Sequence, residues 1–154
     1  MSEKNVQFAQ TLYPSEIDLV AVFADTQLIE GLRPLIHPDL EAVFEARNIP
    51  MGPASIESAG EAAQPTVTGL DGLVRAWREW LSVWDAWVMT PTEFLDVDQE
   101  RVLVLMKVRA RSKTHQVEMP VEGANLLTIR NGRLARLEMF LDQAEALEAA
   151  GLSE

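Results

Sequence analysis

Residues 101–142 read RVLVLMKVRARSKTHQVEMPVEGANLLTIRNGRLARLEMFLD. From Arg101 to Arg111 the side chains alternate, Val102, Val104, Met106 and Val108 against Leu103, Leu105, Lys107 and Arg109, which is the period of a strand with two unlike faces. Ser112 to His115 supplies a hairpin loop, and a further strand runs from Val117 to Arg130. Asn131-Gly132 then predicts a type I′ turn, because both residues tolerate positive φ, and the turn leads into a last strand over Arg133 to Asp142.

Upstream of this block, Trp87 to Val97 predicts another strand, ended by Asp98-Gln99. Gly69 to Trp84 predicts the clearest helix, with Leu70, Leu73, Trp77, Trp80 and Trp84 on one stripe and Arg75, Arg78, Glu79 and Ser82 opposite. Nearer the start, Ser15 is a candidate N-cap for a helix over Glu16 to Ala24. Asp25 can cap a second helix carrying Leu28, Ile29, Leu32, Leu35 and Ile36, distorted late by Pro34. A short strand over Leu40 to Glu45 follows Pro38, and the Ala- and Glu-rich tail from Ala144 to Leu152 predicts a short helix. Residues 48–68 are rich in Pro, Gly, Ser, Ala and Glu without a period, so a long loop is expected there, of the kind that serves as a functional flap or stays mobile. The order implies an α+β fold in one domain over 1–154, with helices on one face of a curved, mainly antiparallel sheet.

The 154 residues suffice for one substantial core, and 47% hydrophobic with 24% charged residues is ordinary for a globular chain. The absence of cysteine removes disulfides, thiol nucleophiles and thiolate metal sites. Twenty-four acidic residues against 13 basic ones give a net charge of -11, which repels phosphate backbones and anionic lipid, so neither nucleic acid nor membrane is an expected partner. MSEKNVQFAQ lacks the basic start and apolar stretch of a signal peptide, so a cytoplasmic address is expected.

Three stretches, LRPLIHPDLEAVF (32–44), TGLDGLVRAWREWLSVW (68–84) and NLLTIRNGRLARLEMFLDQAEALEAAGL (125–152), resemble the nuclear transport factor 2-like (NTF2-like) superfamily. Within it the resemblance is to the SnoaL-like polyketide cyclase and ketosteroid isomerase group. It implies a cone, a bent sheet wrapped around the long helix with a pocket between them and the 48–68 loop at its mouth. It also implies a homodimer through the outer sheet face, which Leu103 and Leu105 share with Lys107 and Arg109. The group includes isomerases, cyclases and dehydratases that need no cofactor, as well as proteins that catalyse nothing.

Carried over residue by residue, the resemblance points at few groups. The isomerases' general base stands at the end of the first strand; here that place holds Phe44, with Glu45 one residue beyond, inward only if a bulge turns it. Asn125, alone in the apolar run Ala124 to Ile129, matches the oxyanion donor, and an amide can donate there without a pKa adjustment. An exposed strand-end glutamate and an asparagine serving a neighbouring backbone are the structural alternatives. The isomerases' helix-borne tyrosine is missing from Asp18 to Val22, and Tyr13 lies too early for a simple carry-over. Trp77, Trp80 and Trp84 are either an aromatic wall or core. Phe44 and the strand residues Val104, Met106, Val108, Leu127, Met139 and Leu141 complete the expected lining.

The remaining motifs carry less. Lys107, Arg109 and Arg111 have no Asp between them, which departs from the superfamily's epoxide hydrolases, and they suit ion pairs with Glu118, Glu122 and Glu138. His37 has a structural role at a helix end and His115 an exposed loop position, so no metal site is expected. The expected partner is a small, largely apolar metabolite, polyketide-, terpenoid- or steroid-like. An open cavity with Asn125 alone polar favours binding, an added buried carboxylate favours catalysis, and a filled cone favours an interaction protein.

Overall fold

The computed structural model describes residues 2–45, 66–82, 84–113, 118–140 and 142–152. Helix α1 (Ser2–Leu12) comes first, then strand β1 (Ile17–Asp18), α2 (Leu19–Ala24), α3 (Thr26–Leu32) and a 3-10 turn (Arg33–Leu35). Strands β2 (Ile36–Glu45) and β3 (Thr66–Thr68) precede α4 (Gly69–Leu81). Then come β4 (Trp84–Asp96), β5 (Arg101–Ser112), β6 (Glu118–Arg130), β7 (Arg133–Phe140) and α5 (Gln143–Ala149). No helix among the described residues is long and apolar enough to cross a membrane.

The strands form one sheet in the order β1-β4-β5-β6-β7-β2-β3. The meander from β4 to β7 is antiparallel, as the alternation and the turn predict, and Asn131 and Gly132 take φ values of 54° and 74°. Only β2 against β7 is parallel, because the chain leaves β2, crosses by α4 to the far edge and returns through the meander to lie beside its own earlier strand. Register shifts interrupt β2, β4 and the β6–β7 pair, and such irregularities add twist, so the mixed sheet curls into a half-barrel.

Several boundaries differ from the sequence expectation for local reasons. Ile17 and Asp18 first pair with Met89 and Val88 as β1, so α2 starts later, capped by Asp18 rather than Ser15, with Asp18 Oδ1 accepting from Val20 N at 3.1 Å. Asp25 does cap α3, accepting from Gln27 N and Leu28 N. The long helix ends at Leu81, where the Ser82 hydroxyl donates to Glu79 O at 2.7 Å, and Trp84 instead opens β4 opposite Ser112. His37 lies inside β2, not at a helix end, and its Nδ1 accepts from Asp39 N at 2.9 Å. Helix α1 has few apolar residues to announce it, yet it buries Ala9 completely. Residues 46–65 and His115 lie outside the described residues, and 66–68 of the expected loop are strand β3, paired with β2.

Both faces of the sheet carry apolar clusters. On the inner face, Val102, Val104, Met106, Val108, Leu127 and Leu137 pack against α4 and the N-terminal helices. On the outer face, Leu103, Ala124, Leu126 and Phe140 are covered by Ala146 and Ala150 at α5 and its end. Leu103, offered by the sequence to a dimer partner, is therefore fully buried beneath the chain's own tail. The Gln143 Nε2 donates to Met106 O and Gly123 O, and Asp142 caps α5 by accepting from Ala144 N and Glu145 N, which holds the tail down. On the exposed part of this face Lys107 lies opposite Glu122 and Arg111 opposite Glu118, while Arg109 reaches Glu16 at 3.2 Å.

Candidate functional site

The inner face is not filled along its whole length. At one end the indoles of Trp77, Trp84 and Trp87 meet edge to face, with ring centroids 6.2 Å apart for Trp77 and Trp87 and 5.3 Å apart for Trp84 and Trp87. At the other end a cavity of about 310 Å³ remains. Its walls come from α2 and α3 (Val22, Phe23, Ile29, Leu32), from α4 (Leu70, Leu73, Trp77) and from the sheet (Met89, Leu134, Leu137, Met139). Phe23 stacks on Trp77 at 5.7 Å and 15° between planes, which gives this chamber one flat aromatic side. Leu28, a large side chain left 53% exposed, stands at the rim with Thr11 and Pro14.

Two polar side chains meet in the wall. Tyr13 extends the last turn of α1, its N–H donating to Ala9 O at 2.9 Å, and Pro14 then turns the chain away, so the phenol is directed inward. Across from it on β6, Asn125 shares the inner face with Leu127 and Ile129, between Val104 on β5 and Met139 on β7. Asn125 Nδ2 donates to the Tyr13 hydroxyl oxygen at 2.6 Å. Burial pushes the Tyr13 pKa up to about 12, while the Asn125 hydrogen bond pulls it the other way, so the phenol stays protonated at neutral pH.

Beyond Ile36 and Leu70, which contact both spaces, lies a polar cleft of about 600 Å³ lined by Arg33, His37, Asp71 and Arg133. Arg33 donates to Glu30 and Asp71, an arrangement that raises its own pKa and holds both carboxyls below the usual carboxylate range. Among the described residues no three acidic or histidine side chains gather as metal ligands.

Of the residues singled out by sequence, Asn125, Trp77 and Met139 line the 310 Å³ cavity. Trp84, Val104, Met106, Val108 and Leu127 are buried in the same core cluster on the inner face but are not among the cavity's lining residues. Alternation assigns a strand residue to a face and leaves its depth along the cone open. Phe44 and Glu45 end β2 in register with Met139 and Phe140, and their side chains, the Trp80 side chain and Leu141 lie outside the described residues. The residue that sequence reasoning passed over is Tyr13. Its signal was weak but present: it is the sole tyrosine, set between an amphipathic segment and a proline.

No family model matches the chain, and neither does any curated protein. Solved structures do. A putative SnoaL-like polyketide cyclase from Jannaschia sp. superposes with a TM-score of 0.66 at 12% identity, over 99% of this chain and 94% of that one. An NTF2-like protein of unknown function from Burkholderia pseudomallei gives 0.59 at 20% identity, over 79% of this chain and 84% of the other. The fold is NTF2-like. TerC, co-crystallised with polyporic acid, shares it with a TM-score of 0.59 and 21% identity, over 86% of this chain and 95% of its own. At such identities the likeness is one of fold, and one fold can host many unrelated activities, so function has to be argued from the cavity itself.

Proposed function

We propose that this chain is a small-molecule pocket protein that takes a largely apolar ligand into the cone and holds its polar group on Tyr13 and Asn125. The observation behind this reading is the pairing of an apolar cavity of about 310 Å³ with one hydrogen-bonded polar couple in its wall. That volume falls at the lower end of common ligand sites, which are mostly apolar with a few placed polar groups. Neighbours of the same fold have been crystallised with small organic molecules, TerC with polyporic acid and a ketosteroid isomerase-like protein from Catenulispora acidiphila with trimethylamine, which supports a ligand in this cone too. A ring compound of polyketide, terpenoid or steroid type suits the flat side made by Trp77 and Phe23.

Binding is favoured over base catalysis because the described lining contains no carboxylate. The enzymatic form of the proposal, a cofactor-free isomerisation, cyclisation or dehydration, needs a base, and Glu45 is the candidate. Glu45→Gln would then abolish turnover and leave binding intact. The pocket reading is tested by titrating apolar ring compounds against tryptophan fluorescence in the wild type and in Trp77→Phe. A saturable response that Trp77→Phe removes is expected. A response unchanged in Trp77→Phe and carried by Trp84→Phe would place the ligand elsewhere and end the proposal.

A further inference from the structure

The direction of the Asn125 to Tyr13 hydrogen bond restricts what the pocket can hold. Because Asn125 Nδ2 gives a proton to the phenol oxygen, the Tyr13 O–H is left to donate elsewhere. The same geometry leaves Asn125 Oδ1 as an acceptor. Among the described residues neither group has a protein partner: the phenol proton is not used within the couple, and the bond to Tyr13 is the side-chain hydrogen bond Asn125 makes. Both residues line the same cavity and are at most 9% exposed. The remaining Nδ2 hydrogen adds a second donor and does not alter the need for a partner at Oδ1.

We infer that the pocket selects a neutral ligand group offering a hydrogen-bond acceptor and a donor side by side, as in a carboxamide, lactam or hydroxyketone. The inference rests on the pocket reading above and narrows it. A simple ketone satisfies the Tyr13 hydroxyl but strands Oδ1 when the site loses its water, and buried groups left unpaired are what make such sites reject an analogue lacking the matching group. A carboxylate fares worse. It brings two acceptors and a charge into a wall whose described residues include no cation, and burying an unpaired charge is far more costly than burying an amide. This differs from an oxyanion hole, which presents donors only.

The test uses four probes on one ring system, with the substituent at the same ring position: naphthamide, methyl naphthyl ketone, naphthoate and naphthalene. Their Kd values for the full chain are measured by calorimetry at neutral pH. Naphthamide should bind about tenfold tighter than the ketone, the change expected from one buried hydrogen-bonding group left unpaired, and naphthoate should bind most weakly. Tyr13→Phe should weaken naphthamide and ketone alike, whereas Asn125→Leu should bring naphthamide down to the ketone's affinity. Equal affinity of ketone and amide for the wild type, or tighter binding of naphthoate, overturns the inference and leaves the pocket reading standing. Failure of all four, naphthalene included, removes the pocket reading and the inference with it.

Discussion

The two ends of the inner sheet face share the same long helix, yet one is packed with tryptophans and the other holds a cavity. At the first end Trp84, Trp87, Met106 and Val108 are buried, with each side chain at most 4% exposed. At the other end Met89, Leu134, Leu137 and Met139 from the sheet face α2 and α3, which are only 6 and 7 residues long, across the cavity. Packing that closes completely fixes the shape; packing that stops short defines the volume a ligand can use. The outer face makes the same point, since a helix of 7 residues suffices there to cover Leu103, Leu126 and Phe140.

The contrast breaks most visibly under truncation. Leu127→Ala, at a fully buried site outside the cavity lining, should destabilise the protein by about 2–5 kcal/mol in chemical denaturation. Leu137→Ala, whose side chain already borders empty space, should cost roughly half as much, because it has fewer contacts to lose. Equal losses at the two sites would mean that Leu137 is as tightly packed as Leu127.

Tyr13 sharpens the comparison through pH. Its folded pKa of about 12 stands above the ordinary value of 10.0, so the folded state holds the phenol proton more tightly. Stability from this source is complete below pH 10 and falls as pH rises toward 12, by about 3 kcal/mol in all. As the sole tyrosine, its ionisation can be followed directly by tyrosinate absorbance. Tyr13→Phe should lack that part of the alkaline loss, and identical alkaline profiles for the two proteins would show that the phenol is not buried.

A smaller effect concerns the couple itself. Asn125→Leu leaves the buried Tyr13 oxygen without its donor and should cost about 1–3 kcal/mol. Adding Tyr13→Phe should recover much of that loss, and strict additivity in the double-mutant cycle would argue that the two side chains do not interact. Smallest of all, Arg109→Ala removes an exposed ion pair with Glu16 and should shift stability by no more than about 0.5 kcal/mol.

The fold was readable because its signals are local. Strict alternation in β5 and the Asn131-Gly132 turn specify a hairpin ladder without reference to anything distant. The site was readable only in half. Asn125 stands out as a lone amide in an apolar strand, but its partner lies 112 positions away on a segment whose direction depends on how α1 docks. Trp84 continues the helical spacing of Trp77 on paper, yet Ser82 ends the helix and places the residue on a strand. The parallel pairing of β2 with β7 likewise follows from the path of the whole chain, which no single stretch encodes.

Ile36 and Leu70 stand between the apolar cavity and the charged cleft, each contacting both. Two spaces of opposite chemistry thus share two side chains. A point substitution that shortens either one would reshape both spaces at once, the apolar one and the one bordered by arginine.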